Sequence, residues 1–266
     1  TPLNTNSEAL TVPAAPYAYD RTVHFYDGGY LYSAPTTTLN LSGTGDLTVE
    51  AWIYPTDFNQ SSAGIVSKGN AFSFKTESNG VVSFIIEQSW SWERLASPAN
   101  TVIANKWQHV AATYNSSTRV MKLYVDGALV GSYTRTQGFN PDFTSGNLQI
   151  GRNISGNGGY SRNFHGNIDE VKIWNTDKSA ADIAAGRSTQ LTGNETNLAA
   201  YYKFDEGIGG GDNTSLTSMT DYSQNGNDLS IQTLTMNGST NNIIQTGPAI
   251  FGDAAICESE TQTLTH

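Results

Sequence analysis

The fold of this chain is decided by the stretch Gly166-Asn167-Ile168-Asp169-Glu170-Val171-Lys172-Ile173-Trp174. β-Branched and aromatic side chains recur along it, which is typical of a strand, although the adjacent carboxylates Asp169 and Glu170 interrupt the apolar pattern. Shortly afterwards, Ser179 and Asp182 have the spacing of a capping box at the start of a helix. The stretch therefore predicts a strand with two carboxylates, followed by a short helix.

Short strand patterns separated by turn residues fill most of the remaining chain. The clearest are Leu47–Tyr54, Val81–Ile86, Trp107–Tyr114 and Val120–Val125. Asn79-Gly80 and Asp126-Gly127 are dipeptides favoured in two-residue hairpins. Regular short strands without intervening helices predict an antiparallel β-sandwich rather than a parallel α/β sheet. The predicted class is all-β, with one short helix after the strand that contains Asp169.

Composition and charge restrict the possible functions. The 266 residues carry a net charge of −10, and only 14% of them are charged, against about 25% in ordinary soluble domains. We expect no nucleic-acid partner, because no Lys/Arg cluster is present to neutralise phosphates. No apolar run is long enough for membrane insertion. Weakly charged chains rich in hydroxyl and amide groups are common among extracellular β-proteins, so we expect a secreted or cell-surface location.

The chain divides into three segments. Residues 1–20 are polar, contain prolines and read as an N-terminal arm or linker. Residues 21–232 carry the strand patterns of one domain. Residues 233–266 lack clear periodicity, and we expect them to pack on the domain or lead to a further one. They contain the single cysteine, Cys257, which excludes a disulfide framework. No signal-peptide pattern is present, and we interpret the chain as a piece of a longer protein.

Three motifs together resemble a known family. They are Trp107-Gln108-His109-Val110-Ala111-Ala112-Thr113-Tyr114, Leu123-Tyr124-Val125-Asp126-Gly127, and Gly166 to Trp174 with its following Ser179 to Ile183. In this order they resemble the laminin-G-like jelly-roll domain of the concanavalin A-like lectin/glucanase superfamily. The segment Phe25-Tyr26-Asp27-Gly28-Gly29 is similar to the Phe-Asp-Gly start of that family, with Tyr26 inserted. The resemblance covers roughly residues 20–232 and implies a jelly-roll sandwich.

The resemblance also implies a calcium ion, often structural, between the first strand and the Asp169 strand. Carried over by position, its ligands would be Asp27, the backbone carbonyls near Gly29 and Tyr30, and Asp169. Calcium takes about six to eight oxygen ligands and accepts both carboxylates and loop carbonyls. The alternative is that Asp27 and Asp169 only accept hydrogen bonds in turns.

The first candidate for a ligand-binding surface is Ser89-Trp90-Ser91-Trp92-Glu93-Arg94. Trp90 and Trp92 are two residues apart and would share one face of a strand. An indole can stack on the apolar C–H face of a sugar, while Glu93 and Arg94 can hydrogen-bond its hydroxyls. The alternative is that both indoles lie in the core, as strand aromatics usually do.

The second candidate is the loop from Asn153 to Arg162. Its Asn157, Tyr160 and Arg162 side chains suit a ligand with many hydroxyl groups. A solvated loop without a ligand is the alternative.

The sequence contains no recognisable catalytic arrangement. Glycosidases of the superfamily usually carry Glu-x-Asp-x-x-Glu on one strand, and this pattern is absent. Asp169 and Glu170 are adjacent and would point to opposite faces of a regular strand, whereas retaining glycosidases need carboxyl groups about 5–5.5 Å apart. We therefore predict that the chain is not an enzyme.

The predicted function is a carbohydrate-binding, lectin-like module of a secreted or surface-displayed bacterial adhesin, with a structural calcium. Its partner would be a glycan or cell-surface polysaccharide. One alternative is a structural or protein-interaction module, such as a self-associating fibre tip without a sugar site. A polysaccharide hydrolase or lyase is the least favoured alternative.

Overall fold

A computed structural model of the chain describes residues 21–26, 28–39, 45–69, 71–88, 91–136, 146–154, 161–238 and 242–244. The first ten strands are β1 (Thr22–Phe25), β2 (Tyr30–Ser33), β3 (Leu47–Pro55), β4 (Ala63–Lys68), β5 (Phe72–Glu77), β6 (Val81–Gln88), β7 (Ser91–Ala96), β8 (Gln108–Asn115), β9 (Val120–Val125) and β10 (Ala128–Thr134). Then follow β11 (Leu148–Ile150), β12 (Arg152–Ile154), β13 (Ser161–Asn163), β14 (Gly166–Trp174), helix α1 (Ala180–Gly186), β15 (Leu198–Tyr202), β16 (Ser218–Met219), β17 (Leu229–Gln232) and β18 (Ile243–Ile244). A 3-10 turn, Ser78–Gly80, joins β5 to β6.

Two antiparallel sheets form the sandwich. The first has the order β10-β9-β8-β3-β14-β1-β18, and β15 pairs with the second half of β14. The second has the order β16-β17-β2-β11-β4-β5-β6-β7. β12 and β13 form a separate hairpin. The predicted all-β jelly-roll sandwich is confirmed, as is the short helix after the strand that contains Asp169.

The core lies between the two sheets and follows the two-residue period of the strands. In β5, for example, Phe72 and Phe74 are buried in the core cluster, whereas Ser73 and Lys75 lie on the opposite face. The fully buried core side chains are mostly Val, Ile, Leu and Phe, whose burial is the main favourable term in folding. Leu234, from the segment after residue 232, belongs to the same cluster.

Two turns have the backbone that their sequences favour. In the β9–β10 turn, Asp126 has φ 50° and Gly127 has φ 81°, as a type I′ hairpin turn requires. Asn79 and Gly80, before β6, also have positive φ, at 60° and 65°. The tightness of these turns fixes the register of the strands that they join.

Strand β14 contains a bulge at its adjacent carboxylates. The register with β3 shifts between Asp169 and Lys172, and Glu170 has a left-handed φ of 49°. The expectation that Asp169 and Glu170 point to opposite faces assumed a regular strand and does not hold at this bulge. Ile168 and Val171, on either side of the pair, are both in the core, so Asp169 and Glu170 lie together on the outer side, where the Tyr201 hydroxyl donates to Glu170 Oε2 at 2.6 Å. Both carboxylates are buried, with 0% and 1% exposure.

Helix α1 covers the outer face of the first sheet. Its start has the predicted capping box, in which Ser179 Oγ accepts a hydrogen bond from the Asp182 backbone N–H at 3.2 Å. Ile183 packs in a small buried cluster with side chains of β8 and β9. At the C-terminal end of α1, the buried Lys172 Nζ donates to Gly186 O at 3.2 Å. Among the described residues, no such helix covers the outer face of the second sheet, and that face carries the candidate site.

Candidate functional site

The outer face of β5, β6 and β7, called the Trp92 platform, carries an exposed aromatic side chain. Trp92 and Arg94 project outward from the edge strand β7, because Leu95 on the same strand faces the core. Their Cα partners on β6 are Glu87 and Ile85. Trp92 is 59% exposed, which is high for a side chain that is usually well buried. Of the two alternatives for Trp92, core and surface, the structure shows surface.

Glu87 is the carboxylate directly opposite Trp92. It forms no ion pair within 4 Å among the described residues. The Ser73 hydroxyl lies 3.3 Å from Glu87 Oε1 and 3.0 Å from Asn153 Oδ1, and its one hydrogen can serve only one of them at a time. Burial raises the pKa of Glu87, while Ser73 and the positive charge of Lys75 oppose that rise. The indole therefore has beside it an acceptor that is only weakly engaged by the protein.

Arg94, which shares the outer face with Trp92, is held by Glu77. Its Nε donates to Glu77 Oε1 at 3.0 Å, and its Nη2 contacts Oε2. Lys75 Nζ lies 3.7 Å from the same carboxylate and 3.2 Å from Ser62 Oγ. Burial lowers the pKa of Lys75, and Glu77 acts against that effect. The platform thus presents an ordered row of charged groups next to the indole.

The β12–β13 hairpin, called the hairpin wall, stands across β4 at one side of the platform. A Cβ at Gly64 would lie 2.2 Å from the Arg152 carbonyl carbon, so only glycine allows this close approach. Ser67 Oγ donates to Arg152 O at 2.8 Å, and Arg162 Nη1 donates to Ser61 O at 2.7 Å. The wall is therefore seated closely on β4, beside the platform.

The hairpin wall has two faces. Asn153 and Arg162 are Cα partners, and Asn153 contacts Ser73, so this pair borders the Trp92 platform. Arg152 and Asn163 are also Cα partners and lie on the other face. Arg162 therefore occupies the platform's border, as one of the predicted ligand-binding residues.

Glu93 does not belong to this surface, contrary to the prediction from sequence. It is buried, alternates with Trp92, and faces inward beside Leu95. Its carboxylate accepts hydrogen bonds from Arg135 Nε at 3.0 Å, from the Tyr133 hydroxyl at 3.1 Å and from both Thr136 N and Oγ1 at 2.8 and 2.9 Å. These partners tie β7 to the end of β10, so the role of Glu93 is structural. Trp90, Asn157 and Tyr160 lie outside the described residues.

The strand register separates the predicted calcium ligands. Because β1 pairs antiparallel with the start of β14, Asp169 lies beside the first residue of β1. Gly29 and Tyr30 follow its last residue, and Asp27 lies outside the described residues. The two ends of β1 are roughly 10 Å apart at 3.3 Å per residue. The register thus places Asp169 beside one end of β1, while the segment that leads to Gly29 and Tyr30 leaves the other end, and the calcium site stays a prediction. The described ranges contain no group of three or more His, Cys, Asp or Glu side chains arranged to hold a metal ion.

Sequence reasoning missed Glu87 and Lys75 as members of this surface, and it named Asn153 only as the start of the candidate loop. The signal for Glu87 was present, because a register that pairs Gln88 with Ser91 also pairs Glu87 with Trp92. Nothing local marks Asn153 as a neighbour of β5, because the contact depends on how the hairpin wall sits on β4. In the part of the chain that the structure describes, no helix has the length and apolar character needed to cross a membrane.

Residues 27–184 match the family model described as the concanavalin A-like lectin/glucanases superfamily. No curated protein matches the chain. Among solved structures, a Bacteroides ovatus protein described as a candidate carbohydrate-binding protein is similar, with 19% identity and a TM-score of 0.64 over 88% of this chain and 62% of that one. The chain thus spans less than two thirds of that protein.

Two further structures are similar over smaller parts of the chain. The CBM40 of the Ruminococcus gnavus IT-sialidase, bound to α2,3-sialyllactose, has 14% identity and a TM-score of 0.50, covering 63% of this chain and 97% of that one. The binding domain of botulinum neurotoxin DC has 15% identity and a TM-score of 0.51, covering 68% and 45%. At these identities the likeness shows the shared fold.

Proposed function

Because the chain belongs to the concanavalin A-like lectin/glucanases superfamily, we propose that it is a non-catalytic carbohydrate-binding module that holds a glycan on the Trp92 platform. The observation that carries the proposal is the 59% exposed Trp92 indole directly opposite the Glu87 carboxylate. The carbohydrate-binding descriptions of the similar structures agree with this assignment.

The chemistry of the platform suits a sugar. The indole supplies a flat apolar surface for the C–H face of a pyranose ring. Glu87 can accept hydrogen bonds from ring hydroxyls, and Arg94 and Arg162 can donate to them. The hairpin wall limits the direction in which a chain of sugars can leave the indole.

The positions of the carboxylates support a binding role rather than hydrolysis. On the platform, Glu87 N bonds to Ala71 O, whereas Glu77 lies six residues further along β5. Their backbones are therefore roughly 20 Å apart along the strand direction, beyond the ~5–9.5 Å used by glycosidases. Asp169 and Glu170 are buried beneath the outer face of the first sheet, where a polysaccharide has no access.

We place the module in a secreted or surface-displayed bacterial protein that acts in adhesion, consistent with its weakly charged, hydroxyl-rich composition. A structural calcium held by Asp27, the carbonyls near Gly29 and Tyr30, and Asp169 is a separate proposal, and no part of the proposed glycan contact involves it. Glycan binding should therefore persist in a chelator.

A glycan array probed with the full chain, with and without chelator, tests the function. Trp92→Ala should weaken binding of any positive glycan by about two- to tenfold, because an aromatic contact contributes roughly 0.5–1.5 kcal/mol beyond its buried area. Leu129→Ala is the matched control, since Leu129 is 55% exposed on β10, an edge strand of the other sheet. If no glycan binds, or if Trp92→Ala binds like the wild type, the proposal is wrong. Release of reducing ends from a polysaccharide would contradict its non-catalytic part.

A further inference from the structure

The face of the hairpin wall that points away from Trp92 meets a second set of polar side chains. The Arg152 guanidinium lies over the Tyr30 ring, 4.4 Å from its centroid. Gln149 lies on the outer face of β11, because Leu148 and Ile150 on either side of it are in the core. Its Cα partner on β2 is Tyr32, two residues from Tyr30 and on the same face. Arg152 and Gln149 therefore border one space between β2, β11 and the wall.

Asn163 completes this arrangement. It is the Cα partner of Arg152, so its side chain lies on the same face of the hairpin wall. A Cβ at Gly28 would lie 3.8 Å from Asn163 Nδ2, which places the turn after β1 beside it. The space is thus bounded by two strands, the wall and a glycine turn.

Three buried polar atoms in this space have no hydrogen-bond partner. They are Gln149 Oε1, Arg152 Nε and Asn163 Oδ1. Gln149 is only 4% exposed, and Arg152 forms no ion pair with any carboxylate of the described residues. Native proteins rarely leave buried donors and acceptors unpaired, since each costs about 1–3 kcal/mol. Three at one place indicate a missing polar group.

The donor and acceptor inventory shows what a group bound there must offer. The Arg152 fork offers N–H donors side by side, and the two amide oxygens need donors. Two adjacent hydroxyls satisfy both requirements, because each accepts one guanidinium N–H and donates its own hydrogen to one amide oxygen. If either amide is turned by 180°, its NH2 group takes the place of its oxygen, and a hydroxyl can accept from that NH2 group. A carboxylate would match the guanidinium directly, but it would suit the amides only if both were rotated to present their NH2 groups, whereas hydroxyls match either orientation.

We propose that Gln149, Arg152 and Asn163 form a second pocket, which binds the vicinal diol of a saccharide. The pocket is separated from the Trp92 platform by the hairpin wall, so it is a second contact for a glycan rather than an extension of the first. A saccharide chain that engages both faces would have to pass around or over the wall.

Small diols test the pocket without requiring the natural glycan. The ¹⁵N-labelled full chain is titrated with cis-cyclohexane-1,2-diol, and cyclohexane-1,4-diol serves as the non-vicinal control. The Arg152 Nε–H signal and the side-chain amide signals of Gln149 and Asn163 should shift saturably with the 1,2-diol only. Arg152→Lys keeps the positive charge over Tyr30 but removes the fork, and should abolish the saturable shift. Asn163→Ala should weaken it.

The controls separate this inference from the proposed function. Trp92→Ala should leave the diol response unchanged. Arg119→Lys, at an exposed turn, is the matched control for Arg152→Lys and should also respond as the wild type does. Equal shifts with both diols, or no saturable shift with the 1,2-diol, would overturn the pocket. An Arg152 Nε–H bonded to a long-lived water that neither diol displaces would also overturn it. Each of these results leaves glycan binding at Trp92 open to its own test.

Discussion

Gly64→Ala should displace the hairpin wall, because the wall rests on β4 at a position without a side chain. A Cβ at residue 64 would lie 2.2 Å from Arg152 C, 2.3 Å from Asn153 N and 2.4 Å from Arg152 O. All three are backbone atoms and cannot rotate away. Since carbon atoms pack at about 3.5–4.0 Å, the wall must move by roughly 1.3 Å or more.

The energetic cost follows from that movement. Overpacking typically costs about 1–3 kcal/mol, and loss of the hydrogen bond from Ser67 Oγ to Arg152 O adds about 0.5–1.5 kcal/mol. Alanine also reduces the conformational freedom of the unfolded chain, which offsets the cost by about 0.4–1 kcal/mol. The free energy of unfolding should therefore fall by about 0.5–4 kcal/mol, which leaves a typical domain folded.

Gly69→Ala provides the matched control for this substitution. Gly69 directly follows β4, and the nearest atom to its added Cβ is 3.8 Å away, an ordinary contact. Neither glycine has a positive φ. Urea denaturation followed by tryptophan fluorescence compares the two variants, and ¹⁵N spectra report the position of Arg152 and Asn163. If Gly64→Ala is as stable as Gly69→Ala and leaves those signals unchanged, the close seating of the wall on β4 is incorrect.

Three further substitutions test the buried Glu93, Glu87 at the site, and the cap of helix α1. Glu93→Gln should lower the free energy of unfolding by about 3–5 kcal/mol, because it leaves the buried Arg135 charge without its carboxylate. In urea denaturation the double variant Glu93→Leu/Arg135→Met should lose less stability than Glu93→Gln. A larger loss in the double variant would contradict the structural role of the Glu93–Arg135 pair. Burial raises the pKa of Glu87 above 4.5 in the folded chain, which favours the protonated carboxyl. The stability that this provides is complete below the ordinary pKa and is lost as pH rises through the raised pKa of the folded chain. The stability of Glu87→Gln relative to the wild type should therefore increase between pH 4 and pH 7, and a flat difference would contradict the raised pKa. Ser179→Ala should cost about 0.5–2 kcal/mol in thermal or urea unfolding by removing the helix cap, whereas Ser179→Asp should retain most of the stability.

The strands and turns were predictable because their signals are local. Asp126-Gly127 has the positive φ angles that its type I′ turn requires, and Ser179 caps α1 as its spacing with Asp182 predicts. Strand periodicity alone also shows that Trp92 and Glu93 lie on opposite faces. It does not show which face is inside, because that depends on Arg135, which comes from a strand distant in sequence.

The site was less predictable than the fold for the same reason. Trp92 is an aromatic residue that the usual preference would place in the core, yet the counter-charge for Glu93 turns Glu93 inward and Trp92 outward. Asn153 reaches Ser73 only because Gly64 lets a hairpin stand on β4. The bulge after Asp169 likewise breaks the alternation on which a regular-strand argument depends.

The central position of β14 has a consequence for how the chain reaches its native state. β14 lies between β1 and β3, two strands that precede it by most of the domain, and Thr48 pairs with Trp174. During synthesis, the facing edges of β1 and β3 stay unpaired until the chain has been made through residue 174, because both pair with β14. Such distant pairing carries a large loop-closure cost and predicts folding in milliseconds to seconds rather than microseconds. Until β14 arrives, the nascent chain exposes two unpaired strand edges, and it is then most exposed to misassembly.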